Sequence, residues 1–127
     1  HLKLMCGGIT SEMFEQILCS MLNDGTYHKH RKRVTQGLLA SGARVARWLQ
    51  TLGFTLSAPY TGGLYIWATL PAGRDAETLA RQGLAQDLVL APGILFGFDP
   101  VLRHCMRFNV AHTDNPKVMA AVEALLD

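Results

Sequence analysis

The sequence is short of the residues and motifs that most often carry chemistry. Its 127 residues hold three cysteines, Cys6, Cys19 and Cys105, widely spaced and odd in number. That excludes a disulfide framework, and without a Cys-x-x-Cys pair the usual zinc spacing is missing too. All three read as buried apolar thiols, and a reducing cytoplasm is the simplest compartment. No Gly-x-Ser-x-Gly elbow, His-Glu-x-x-His helix or glycine-rich phosphate loop ending in lysine occurs, so the commonest hydrolase and nucleotide-binding signatures are absent. No unbroken apolar run reaches the roughly 18 residues a spanning helix needs. The opening HLKLMCGGIT lacks the apolar stretch of a secretory signal.

Acids are missing from one long stretch. Residues 25–73 carry six bases (Lys29, Arg31, Lys32, Arg33, Arg44 and Arg47) and no Asp or Glu, although the whole chain is only +2. The densest part, His28 to Arg33, suits either a solvated helix face or a phosphate-binding patch. No aromatic side chain interleaves it, which speaks against base stacking. His28 and His30 lie two apart, not the four that a helical metal pair needs.

What is present is enough for one core. Apolar residues make up 49% of the chain and charged residues 17%, which excludes a disordered chain and predicts a single domain over residues 1–127. Ser11, followed by Glu12 and Glu15, predicts a capped helix with Phe14, Ile17, Leu18, Met21 and Leu22 on its stripe. Asn23-Asp24-Gly25 ends it, and a long helix follows over residues 26–52, stopped by Gly53. Gly37 and Gly42 inside it cost about 1 kcal/mol each against alanine. Strands are predicted over 54–57, 63–70, 87–91 and 104–111. A helix capped by Asp75 runs to about residue 86, and a last one starts at Asn115-Pro116. The fold class is α+β: a small mixed or antiparallel sheet with helices packed on one face, preceded by a long helix.

Alternation on the last strand sets Cys105, Arg107, Asn109 and Ala111 on one face and Met106, Phe108 and Val110 on the other. Arg107 therefore faces outward or into a cleft. It is either a surface arginine paired with an acid or a bidentate carboxylate clamp. Gly62-Gly63 is either a hairpin corner or a close-approach site, and Pro92-Gly93 either a turn or a pocket loop. His104 and Cys105, adjacent on a strand, point apart and make no catalytic pair.

Four stretches in order carry a resemblance. They are Gly25-Thr26-Tyr27-His28-Lys29-His30 leading into the arginine-rich helix, Gly62-Gly63-Leu64-Tyr65-Ile66-Trp67, Leu90-Ala91-Pro92-Gly93 with Phe96, and Met106-Arg107-Phe108-Asn109-Val110-Ala111. With the order of elements, they resemble the C-terminal small domain of fold-type I pyridoxal-phosphate aminotransferases. They are most similar to the aminotransferase-like domain of MocR-type transcriptional regulators in the GntR family. The resemblance covers essentially the whole chain.

The resemblance implies that Arg107 holds a substrate or effector α-carboxylate, that Tyr65 and Gly63 line the pocket, and that Pro92 and Gly93 shape a loop at its mouth. Asn109 matches the motif and receives a packing or hydrogen-bonding role. The departure lies in the lysines. None of Lys3, Lys29, Lys32 and Lys117 stands in the family's Ser-x-x-Lys setting for the Schiff base. The chain thus resembles a fragment, with pyridoxal 5'-phosphate expected in the full-length protein and none in this piece. The implied function is an amino-acid- or cofactor-sensing domain of a regulator. The alternatives are the small domain of a genuine aminotransferase and, in another class, a free-standing basic nucleic-acid-binding module. The implied partners are the missing cofactor-binding large domain, an amino-acid ligand, DNA through a missing winged-helix domain, and a second copy in a homodimer, with no membrane.

Overall fold

A computed structural model describes residues 11–127; Cys6 and the expectations about the first ten residues lie outside it. The chain divides into two compact units, His1–Val34 and Thr35–Asp127.

In the first unit, α1 (Glu12–Asn23) begins after Ser11, whose backbone is extended but whose side chain makes no capping bond. The apolar stripe that marks a core-facing side is exposed, and α1 buries no residue. Cys19 is exposed, against the expectation of a buried thiol. Asp24 accepts from the Thr26 amide at 2.8 Å, which holds its carboxyl below the usual range. It thereby starts α2 (Thr26–Thr51), whose basic first turns are exposed.

The second unit contains the rest of α2 and a four-stranded antiparallel sheet in the order β1-β2-β4-β3. The strands are β1 (Thr55–Leu56), β2 (Tyr65–Thr69), β3 (Ala91–Pro92) and β4 (Cys105–Asn109). Helices α3 (Ala76–Leu84), α4 (Val110–Thr113) and α5 (Pro116–Leu126) complete it. The β2–β4 register pairs Ile66 with Phe108 and Ala68 with Met106. These four buried side chains pack with Val45 and Leu49 of α2, Leu79 of α3 and Leu125 of α5 in one core. Phe54 meets Phe108 edge-on at 5.5 Å. One face of the sheet is thus covered by helices, as α+β patterning predicts.

All four strands are shorter than their patterns suggest, and in three of them a local device competes. Gly62 and Gly63 sit at φ 139° and 105°, conformations that favour glycine, so β2 starts at Tyr65. Asp87 adopts φ 59° while the Gln86 and Leu88 amides both donate to the Gly83 carbonyl. That closes the end of α3 and removes residues 87–90 from the expected strand. Asn109 ends β4 by accepting from the Ala111 and His112 amides at 3.0 and 3.3 Å, which begins α4 in place of further strand. His104 is correspondingly not on a strand. It ends the 3-10 turn Pro100–His104 and bonds the Arg74 carbonyl through Nδ1 at 3.0 Å. Cys105 is buried.

Polar contacts tie the elements together. Arg44 pairs with Asp114 (Nε to Oδ1 3.2 Å), and that hydrogen bond lowers the Asp114 carboxyl below its ordinary range. Asp75 caps α3 at the Thr78 amide and also meets Arg103 at 3.3 Å. Trp48 Nε1 donates to Glu123 at 2.7 Å, which fastens α2 to α5.

Gly42 is buried, and a Cβ there would overlap the Tyr60 ring. The Tyr60 hydroxyl lies 3.0 Å from the Leu38 carbonyl and 2.8 Å from that of Gly63, so this close approach seats the Gly62-Gly63 corner on α2. Gly37 has open space around its α-carbon. Gly42→Ala should therefore destabilise the chain by about 1–3 kcal/mol through overpacking. Gly37→Ala should stabilise it by up to about 1 kcal/mol. Urea unfolding of the two variants checks the opposite signs.

Candidate functional site

The sheet face away from the helices carries Tyr65, Trp67, Arg107 and Asn109, because residues of one parity share one side. Trp67 and Ala91 flank Arg107 in register on the two neighbouring strands. The Arg107 guanidinium lies between two aromatic rings. Its Cζ is 4.1 Å from the Tyr65 ring centre and 4.2 Å from that of Phe96. Phe96 also meets Trp67 edge-on at 5.5 Å. Two π-faces thus meet the cation, and a guanidinium held in this way retains N–H donors for an acceptor. Among the described residues no carboxylate pairs with Arg107. The bland expectation, a surface arginine paired with an acid, does not hold for them.

Phe96 is held by the turn Gly93–Phe96. Gly93 lies so close to the Leu102 carbonyl that a Cβ would collide with its oxygen and press tightly on Cys105. Glycine is required there for space, and the contact fixes the loop that brings Phe96 over Arg107.

A cavity of about 360 Å³ adjoins this stack. Tyr65, Arg107, Asn109 and His112 line it together with Leu88, Leu90, Ala91, Val118 and Val122. Of the residues singled out in sequence, Arg107 and Tyr65 come together here. Gly63 is at the Tyr60 corner instead, Pro92 lines a separate groove with Ile94 and Leu95, and Gly93 supports the loop. Sequence reading noted Phe96 only as part of the Pro-Gly stretch and missed the walls from α4 and α5. No periodicity links those walls to Arg107.

The basic run lies in the first unit. Lys29, Arg31, Lys32 and Arg33 are exposed, and the Arg33 guanidinium approaches His30 Nδ1 at 3.3 Å. Among the described residues no cluster of His, Cys, Asp and Glu could hold a metal ion, and no helix is long and apolar enough to cross a membrane.

No protein-family model matches the chain. An aromatic-amino-acid aminotransferase of Thermococcus litoralis is 27% identical over 66 residues, covering 52% of this chain and 16% of its own length. YjiR, an uncharacterized helix-turn-helix-type transcriptional regulator of Escherichia coli, is 25% identical over 114 residues, covering 87% of this chain and 24% of its own. The α-aminoadipate aminotransferase LysN of Thermus thermophilus, solved with N-(5'-phosphopyridoxyl)-L-leucine, superposes with a TM-score of 0.59 at 21% identity, over 84% of this chain and 30% of that one. The multiple-substrate aminotransferase of Thermococcus profundus gives 0.58 at 20% identity, over 84% and 26%. The chain has the fold of one part of these aminotransferases, less than a third of their length.

This aminotransferase-like chain spans a quarter or less of the curated relatives it matches. The resemblance that its motifs carry, to aminotransferases and to a helix-turn-helix regulator, is thereby borne out. The lining of the cavity beside Arg107 does not by itself make a seat for pyridoxal phosphate. The cavity beside Arg107 is lined by no lysine that could form a Schiff base and no carboxylate that could face a pyridine nitrogen.

Phe96→Leu uncovers one face of Arg107 and removes the edge contact to Trp67. It should cost about 1 kcal/mol and shift both the Trp67 indole N–H and the Arg107 Hε resonances. Unmoved resonances in a folded variant would show that the stack does not form.

Proposed function

We propose that this aminotransferase-like chain is the ligand-sensing part of a transcriptional regulator, and that Arg107 binds the α-carboxylate of an amino-acid effector. The observation that carries the reading is the Arg107 guanidinium, stacked between Tyr65 and Phe96 beside a cavity and unpaired with any acid among the described residues. A half-buried cation without a carboxylate is costly to keep unless something else supplies one. A guanidinium held against two rings keeps the N–H fork that suits a bidentate carboxylate.

The regulator version is supported by the relative that matches most of the chain, 87% against 52% for the aromatic aminotransferase. In this reading pyridoxal 5'-phosphate is held by a large domain elsewhere in the full-length protein. A winged-helix domain of the GntR type contacts DNA, and the protein works in the cytoplasm. The enzyme version keeps the same Arg107 role, orienting an amino acid over a cofactor held by the large domain.

The exposed apolar stripe of α1, which includes Phe14, Ile17 and Leu18, then serves as an association surface for that domain or for a second copy. Sedimentation of the chain alone should show dimers that Phe14→Asp abolishes. A chain that stays monomeric at high concentration would remove the homodimer.

Arg107→Ala in the full-length protein should weaken amino-acid binding by about 10- to 100-fold. Affinity for pyridoxal phosphate should change little, and calorimetry separates the two. Unchanged amino-acid affinity would take Arg107 out of the site.

A further inference from the structure

The sheet opens where β3 stops. Ala91 and Pro92 pair with Arg107 and Met106, and residues 88–90 do not continue the ladder. The Phe108–Asn109 end of β4 therefore lacks a neighbouring strand on that side. The cavity beside Arg107 occupies this gap. Its walls are apolar where they come from the departing segment and from α5: Leu88, Leu90, Val118 and Val122. Arg107 is the guanidinium in the lining, and neither lysine nor carboxylate lies there. The Asn109 side-chain oxygen is committed to the Ala111 and His112 amides.

We propose that this cavity receives the side chain of the ligand whose carboxylate meets Arg107, and that the ligand is a monocarboxylate bearing an aromatic or branched aliphatic group. The inference rests on the carboxylate reading of Arg107 and adds the class of ligand. One guanidinium serves one carboxylate. A second carboxylate, as in an acidic amino acid, would leave water for walls of leucine and valine, where the other polar side chains beside Arg107 are those of Tyr65, Asn109, His112 and Thr113 and no second arginine or lysine meets it. A basic side chain would meet no acid. An apolar group instead gains by leaving water. The volume is at the small end of the range for small-molecule sites, which begins at about 300 Å³, and it has room for a phenyl or isobutyl group.

The test is a nuclear magnetic resonance titration of the 127-residue chain with acetate, glutarate and 3-phenylpropanoate. 3-Phenylpropanoate should bind at least about tenfold more tightly than the other two. It should shift the methyl resonances of Leu90 and Val118 as well as the Arg107 side chain. Val118→Phe, which fills the cavity, should erase that advantage while acetate still shifts Arg107. Equal affinities, with Arg107 shifted and the Leu90 and Val118 methyls unmoved, would overturn the proposed ligand class and leave the carboxylate site standing. If no probe shifts Arg107, the carboxylate reading itself fails and this inference with it. The probe series on the unaltered chain decides even if Val118→Phe does not fold.

Discussion

The β2–β4 ladder is the constraint on which the second unit depends. Its five pairs run from Tyr65 with Asn109 to Thr69 with Cys105. Because side chains alternate, this register sends Ile66, Ala68, Met106 and Phe108 into the helices and Trp67 and Arg107 to the other side. A slip of one residue would bring the guanidinium against Val45 and Leu49, where a buried unpaired charge costs several kcal/mol. The core and the Arg107 stack therefore specify the same register independently. A sheet with only one patterned face would be held less firmly.

The charged groups divide by what satisfies them. Asp114 is used on Arg44, Glu77 on Arg81 and Asp75 on both a helix cap and Arg103. Such exposed pairs contribute at most about 1 kcal/mol each, so their effect is to fix where elements sit. Arg74 reaches the last carbonyls of α5, where the helix dipole favours a cation. Arg107 differs in kind, because the partners it has here are π-faces. These hold the side chain in place, and among the described residues no acid pairs with it.

Much of this arrangement was legible in the sequence because it follows from short periodicities. Alternation around Arg107 gave its face, the glycine at 53 gave the end of α2, and Asp75 and Asn115 gave two helix starts that the structure confirms. Errors fell where side chains compete with the pattern. Asn109 reads as a strand residue until its oxygen is seen to cap α4, and Asp87 reads as a strand start until its positive φ closes α3. The cavity could not be read at all. Its walls come from segments that meet only in three dimensions, and the departure of residues 88–90 that opens it is set by the turn at Asp87. The apolar stripe of α1 shows the opposite limit: amphipathic spacing identified a helix but not what covers it.

Both outer strands of the sheet have only two residues, and one of the two positions in β3 is Pro92. A proline offers no N–H outward, and a two-residue edge presents almost no continuous row of backbone groups for another chain to extend. The sheet is therefore a poor template for strand-by-strand growth, although the chain exposes many large apolar side chains. What the described residues offer for association is side chains on a helix face, such as the apolar stripe of α1, and not a backbone edge. Fibrillar assembly through backbone ladders is disfavoured by the way the sheet ends.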